Sequence, residues 1–194
     1  MYRFEGKSYE IHNATCGAGL GDPYWSDTYN GGRRTRLGWW FEMQVDDPDP
    51  DERAPRVVFD GIFIECQSWV EIVGKHITWT SAINEKHDSR YGWTDTFECS
   101  LIVRGSFQIT SRHGLLLRVE AHGSDEWQNE FEIAADYAFQ GIVVNGSERD
   151  SNETFRARLL EHISLEYLEQ QPATSGGRYD SGVEMKGCLF LPKL

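Results

Sequence analysis

The chain lacks any apolar run long enough to cross a membrane. A membrane helix needs about 20 consecutive apolar residues, and no stretch of the 194-residue sequence approaches that length. The opening residues, Met-Tyr-Arg-Phe-Glu-Gly, also lack the basic segment and apolar stretch of an export signal. We therefore expect a cytoplasmic protein that has no membrane partner.

Positive charge is scarce. The sequence has 19 lysines and arginines against 31 aspartates and glutamates, which gives a formal net charge of -12. Such a charge repels nucleic-acid phosphates, so we expect no nucleic-acid partner. A basic protein is the favoured kind of protein partner, and an immunity or inhibitor protein that neutralises a cationic toxin is one example.

Cysteine motifs are also missing. The four cysteines are widely separated and never form Cys-x-x-Cys, which excludes the usual zinc and redox signatures. Two disulfides remain arithmetically possible, although strand-like surroundings favour reduced thiols. The cysteines are Cys16, Cys66, Cys99 and Cys188.

The acidic segment after residue 45 gives an incomplete metal motif. Asp47, Asp49 and Asp51 alternate as the first ligands of a calcium loop do. However, Glu52 stands where that loop needs glycine, and Val58 stands where it needs a bidentate glutamate. We therefore expect no metal and no cofactor.

What the chain does contain is enough apolar material for one core. Hydrophobic residues make up 39% and aromatic residues 13% of the sequence, which is too much for a disordered chain. We predict a single domain over 1-194. Turn-forming residues indicate a linker over 172-182, and the apolar run that follows predicts a docked C-terminal strand over 183-191.

Strand periodicity dominates from Thr96 to Val144. Apolar residues fall at every second position in three successive runs, and glycine-containing segments separate these runs as predicted turns. The apolar positions are Phe97, Cys99, Leu101, Val103, Phe107, Ile109, Leu115, Leu117, Val119 and Ala121; the predicted turns are Arg104-Gly105-Ser106, Arg112-His113-Gly114 and His122-Gly123-Ser124-Asp125. The pattern predicts a mainly β fold, an antiparallel β-sandwich or open barrel.

One late helix is predicted over about 151-170. Asp150 and Glu153 fit a capping box, and apolar residues from Phe155 to Leu168 then recur at helical spacing. The same segment also shows alternation, so a terminal pair of strands is the alternative.

Two sets of residues could carry function. Tyrosines, tryptophans and arginines in a glycine-rich stretch suit sugar rings or protein partners, because flat aromatic side chains give a large contact area at low entropic cost. This set is Tyr24, Trp25, Tyr29, Arg33, Arg34 and Trp40. It predicts a non-catalytic binding protein whose partner is a basic protein or a carbohydrate, unless these aromatics simply cover the core.

The second set lies on the outward face of the predicted sheet. Glu120 and His122 should project from one strand, and Glu130 and Glu132 from another. Convergent carboxylates and a histidine could act as general acid and base, so the alternative function is a carboxylate-dependent hydrolase. Ordinary cross-strand ion pairs would explain the same residues. The sequence has no Gly-x-Ser-x-Gly elbow and no His-Glu-x-x-His zinc helix.

Overall fold

Alternating apolar and polar residues give this chain mainly antiparallel strands. A computed structural model describes residues 1-21, 36-47, 53-84, 89-95, 98-178 and 184-193. Its strands are β1 Tyr2–Phe4, β2 Lys7–Tyr9, β3 Ile11–Leu20, β4 Gly38–Val45, β5 Arg56–Ile62, β6 His76–Trp79, β7 Ile83–Asn84, β8 Ser89–Arg90, β9 Gly92–Asp95, β10 Cys99–His113, β11 Leu116–Asp125, β12 Glu130–Ser147, β13 Leu168–Gln170, β14 Thr174–Arg178 and β15 Glu184–Pro192. The prediction of a mainly β fold with a late helix is confirmed.

The chain divides into two compact units that alternate along the sequence. The first unit contains Met1–Cys16, Trp39–Ile62 and Ile72–Phe139, and the second contains Gly17–Gly38, Phe63–Glu71 and Gln140–Leu194. Within the described ranges, no helix is long and apolar enough to span a membrane.

The first unit is a seven-strand barrel. Its strands neighbour one another in the order β11, β10, β9, β5, β4, β3 and β12, and the pairing of β11 with β12 closes the ring. Closure leaves no unpaired edge in the ring itself, which removes the hazard of edge-to-edge association. Three strands of the same sheet are added outside the ring, since β1 pairs with β12, β2 pairs with β1 and β6 pairs with β10.

Aromatic side chains fill the barrel. Phe41, Phe59, Phe107 and Tyr137 are all fully buried. The ring centroids of Phe41 and Phe107 are 4.6 Å apart, and those of Phe59 and Phe107 are 5.2 Å apart. A small barrel has an interior just wide enough for side chains, so these rings form the core of the unit.

The predicted inward face was wrong at the start of β10. Cys99, Leu101 and Val103 were expected to face the core, but Ile102 is the fully buried residue and Cys99 is exposed. The pairing register with β11 shifts after Ile102, which marks a β-bulge. A bulge adds one residue to a strand and so changes the alternation, and Phe107 then faces inward again.

Two predicted turns were also wrong. The segments 104-106 and 122-125 lie inside β10 and β11, and the chain reverses at 126-129 instead of at 122-125. The third predicted turn, 112-114, adjoins the reversal at 114-115. Gly105 and Gly123 serve close approach of the two strands rather than reversal. A Cβ atom on residue 123 would lie 2.4 Å from the carbonyl oxygen of Arg104 and 3.0 Å from the Cα of Gly105.

In the second unit, the helix α1 covers Asn152–Leu160 and is shorter than predicted. Its N-cap is Ser151, which forms a capping box with Thr154 in place of the expected Asp150 and Glu153. Helical structure stops before Leu168–Gln170, because those residues pair with β15. The helical periodicity is therefore confirmed from Asn152 to Leu160 and wrong at 168-170, where long-range pairing overrides helix propensity. The alternating positions from 155 to 167 do not form a pair of strands.

Strand β15 organises the rest of this unit. It pairs with residues 142-147 of β12, and also with β13 and β14. Residues 174-178, inside the segment expected to be a linker, form β14. The expected strand over 183-191 corresponds to β15, Glu184–Pro192.

Candidate binding groove

A row of polar residues crosses five strands on the outer surface of the barrel unit. Arg3 of β1 pairs with Glu132 of β12, which pairs with His122 of β11. His122 also pairs with Ser106 of β10, which pairs with Thr78 of β6. Neighbouring strands lie about 4.8 Å apart, so four spacings give a row roughly 19 Å long. Because side chains alternate along each strand, all five lie on the face opposite the core.

A second polar row runs beside the first. Ser124 pairs with Glu130 on one side and with Arg104 on the other. The Nε atom of Arg104 donates a hydrogen bond to the Oγ of buried Ser124 over 2.8 Å. This bond restricts the guanidinium of an otherwise exposed arginine, so its remaining donors have a defined direction.

The two rows border a groove with a volume of about 840 Å³. Small-molecule sites in proteins commonly have about 300–1,000 Å³. Trp79 and Phe131 also line this groove, but they are only 5% and 3% exposed. Their rings lie close to two glycines, since a Cβ on Gly105 would be 2.5 Å from Trp79 and one on Gly123 would be 2.8 Å from Phe131. These two rings therefore add little accessible surface to the groove, although most of its accessible lining is apolar.

The charges of the groove balance one another. Arg3 Nη1 lies 3.6 Å from Glu132 Oε2, and Arg104 Nη2 lies 3.8 Å from Glu130 Oε1. All four side chains are more than half exposed. Exposed ion pairs of this kind contribute about 0–1 kcal/mol, so the groups can exchange these contacts for hydrogen bonds to a ligand at small cost.

The structure brings together three of the four residues predicted for the alternative hydrolase site. His122, Glu130 and Glu132 all line the groove. Residues directly opposed on antiparallel strands have Cβ atoms about 4.5–5.5 Å apart, and His122 is opposed to Glu132 in this way. Glu120 lies in the next row, opposite Gln108 and Ala134, and does not line the groove.

Trp40 is the one member of the predicted aromatic binding set that lies among the described residues. Trp40 is half-buried on β4. The other members lie outside the described residues; they are Tyr24, Trp25, Tyr29, Arg33 and Arg34. The prediction for this loop therefore stays a prediction.

The sequence predicts no metal site, either in the acidic segment or elsewhere in the chain. Asp49 and Asp51 lie outside the described residues. Asp47 accepts a hydrogen bond from the backbone N–H of Ala54 over 2.8 Å, so its carboxylate stabilises local backbone. Over the ranges that the structure describes, no group of three or more His, Cys, Asp or Glu residues could hold a metal ion.

Sequence reasoning missed the turn between β11 and β12. Trp127, in this turn, is 54% exposed. Asp125 is only 1% exposed, and it accepts hydrogen bonds from the backbone N–H groups of Trp127 and Asn129 over 3.0 and 2.9 Å. An aspartate that bonds to the backbone two residues later is a turn signal, but the interpretation of 122-125 as the turn obscured it.

Comparison of the chain with protein families, with curated proteins and with solved structures found no match. The chemistry of the groove and of the neighbouring turn is therefore the basis for the functional argument. Both features lie in the barrel unit.

Proposed function

We propose that this protein is a non-catalytic carbohydrate-binding protein and that the outer groove of the barrel is its binding site. The supporting observation is the double polar row, in which donors and acceptors alternate. Arg3, Glu132 and His122 follow one another in the first row, while Arg104 and Glu130 border the second. A sugar presents hydroxyl groups that both donate and accept, so it can bond to arginines and carboxylates at the same time. Hydrogen bonds to ionised groups are about twice as strong as neutral ones.

The balanced charge of the groove favours a neutral ligand. A basic protein needs carboxylates that are not already opposed by cations. Glu130 and Glu132 each face an arginine. The acidic charge of the whole chain gives general attraction for cations, but these two pairs give the groove itself no preference for them.

Binding without catalysis is favoured over hydrolysis. Glycoside hydrolysis uses one carboxyl group that donates a proton and a second that acts as base or nucleophile. The proton donor commonly lies in apolar surroundings. Glu130 and Glu132 have side chains 78% and 52% exposed, beside arginines. The carboxylates are therefore better placed to accept hydrogen bonds from sugar hydroxyls than to divide the two catalytic roles.

Calorimetric titration of the full chain with cello-, chito- and malto-oligosaccharides tests the proposal. Glu132→Gln should weaken binding at least tenfold, because it removes a charged acceptor that lies between Arg3 and His122 in the row. Glu120→Gln is the matched control, since it makes the same chemical change one row outside the groove. We expect its affinity to equal that of the parent chain.

Three outcomes would contradict the proposal. Absence of binding to a broad glycan panel would exclude a carbohydrate ligand of the classes tested. Equal loss of affinity in Glu132→Gln and Glu120→Gln would place the site elsewhere. If the parent chain released reducing ends from these oligosaccharides, and both Glu132→Gln and Glu120→Gln abolished that release, the result would instead support the carboxylate-dependent hydrolase.

A further inference from the structure

The exposed side chain of Trp127 is carried by a turn whose backbone is held by hydrogen bonds. Trp127 is 54% exposed, and an exposed aromatic ring gives a ligand a large contact area at low entropic cost. We propose that Trp127 is a stacking platform at the end of the groove and that the ligand is an oligosaccharide long enough to reach both. This inference rests on the proposed function.

The turn that carries Trp127 is held at several points. The two carboxylate oxygens of Asp125 accept four hydrogen bonds, from Thr94, from Trp127 and twice from Asn129, over 2.7 to 3.0 Å. On the other side, the backbone N–H of Glu126 donates to the carbonyl oxygen of Leu101 over 2.9 Å. A binding group that is already ordered loses little conformational entropy when the ligand arrives. The support therefore suits recognition.

The turn continues directly from the groove. It connects Ser124 to Glu130, which are paired across the two strands. Glu130 lines the groove, and Ser124 holds the groove residue Arg104. A chain of sugar residues that leaves the second polar row at Glu130 would therefore meet the turn next.

The groove also lacks what the turn provides. A sugar ring has one face of C–H groups, which stacks on aromatic rings. Trp79 and Phe131, the aromatics that line the groove, are almost completely buried and cannot offer such a face. Trp127 is exposed in the turn that joins the two strands past the second polar row and does not itself line the groove, so hydrogen bonding and stacking would act on different sugar residues of one ligand.

A length series tests this division. Cello-, chito- and malto-oligosaccharides of one to six units would be titrated into the parent chain, Trp127→Ala and Trp127→Tyr. We expect Trp127→Ala to lower affinity at least tenfold for the longer oligomers and to leave the affinity for the shortest binding oligomer unchanged. Trp127→Tyr should restore most of the loss because it keeps an aromatic face. Leu116→Ala is the control, since Leu116 is an exposed apolar residue at 43% that is absent from the groove.

The outcomes separate the two proposals. If Glu132→Gln weakens binding but Trp127→Ala binds every length as the parent does, the platform is refuted and the groove stands. If Trp127→Ala weakens all lengths equally, the division between two parts of one ligand is refuted. If no oligosaccharide binds to the parent chain, the proposed function fails and the platform fails with it.

Discussion

Replacement of Asp125 should destabilise the barrel unit far more than replacement of an ordinary surface aspartate. Its carboxylate is 1% exposed. Oδ2 accepts from the hydroxyl of Thr94 over 2.7 Å and from the side-chain amide of Asn129 over 2.9 Å. Oδ1 accepts from the backbone N–H groups of Trp127 and Asn129. Asp125→Ala removes the acceptor for all four donors at once.

The expected loss can be estimated from these contacts. A hydrogen bond to a charged group contributes about 1.5–3 kcal/mol net, and an unsatisfied buried donor costs about 1–3 kcal/mol. Bonds that share one carboxylate are not additive. Thr94 is fully buried, so its hydroxyl loses its acceptor without gaining water. We expect Asp125→Ala to lower the free energy of unfolding by about 3–4 kcal/mol, a large part of the about 5–15 kcal/mol typical of a domain.

Urea unfolding of the two aspartate variants measures this difference. Asp136→Ala is the matched control, because Asp136 has a side chain 55% exposed and one ion pair, with Arg118 at 3.3 Å. That substitution should change stability by less than about 0.5 kcal/mol. Asp125→Asn keeps one acceptor oxygen and should fall between the two. If Asp125→Ala were no less stable than Asp136→Ala, the hydrogen-bonded turn would not be the stabilising feature inferred here.

Five further results are expected in the same unfolding assay. Tyr2→Phe should cost about 1 kcal/mol, because the Tyr2 hydroxyl donates to the Pro55 carbonyl over 3.0 Å. In contrast, Tyr137→Phe should be neutral or stabilising, since the buried Tyr137 hydroxyl has no hydrogen-bond partner among the described residues; a similar loss in both variants would contradict this. Burial raises the pKa of both phenols. The free energy of unfolding should therefore fall as the pH rises above about 10, the pKa of an exposed tyrosine. A free energy of unfolding that stayed constant above that pH would be evidence against the raised pKa values. Gly123→Ala should lower the free energy of unfolding by about 1–3 kcal/mol, because the added Cβ would lie 2.4 Å from a backbone oxygen. Gly187→Ala should be tolerated, because the nearest atom to its added Cβ is 3.4 Å away. Equal stability of the two variants would refute the argument that Gly123 allows close approach. Ser151→Ala should cost about 1 kcal/mol through loss of the cap on Thr154, and unchanged stability would show that the cap contributes nothing.

Local patterns predicted the class of fold well because they report which side of a strand is buried. Leu117, Val119 and Ala121 were expected inside, and all three are buried. The predicted burial pattern and secondary structure were wrong where pairing with a distant part of the chain changed the local structure. The bulge after Ile102 depends on the pairing of β10 with β11, and Leu168–Gln170, predicted to be helical, form a strand that pairs with β15.

A glycine can mark a chain reversal or a close approach of two strands, and the sequence alone does not distinguish these roles. In Arg104-Gly105-Ser106 and His122-Gly123-Ser124-Asp125 it was interpreted as a sign of reversal. Both glycines instead allow the two strands to approach one another, and they leave room for the rings of Trp79 and Phe131. Gly114, in the third predicted turn, does have a left-handed backbone with φ of +60° and does lie in a turn. Local composition is the same in each case, and only the neighbouring strand distinguishes them.

Local sequence also predicted the residues of the groove only in part. Strand alternation predicted that His122, Glu130 and Glu132 face outward, and the structure places all three in the groove. Alternation could not add Arg3 and Thr78, because each joins the row only through the register of an additional strand. Nor could it separate Glu120 from His122, two residues apart on the same face of one strand. The register does so by placing Glu120 opposite Ala134 and His122 opposite Glu132, which is why exchange of a single carboxylate in each row can test where a ligand binds.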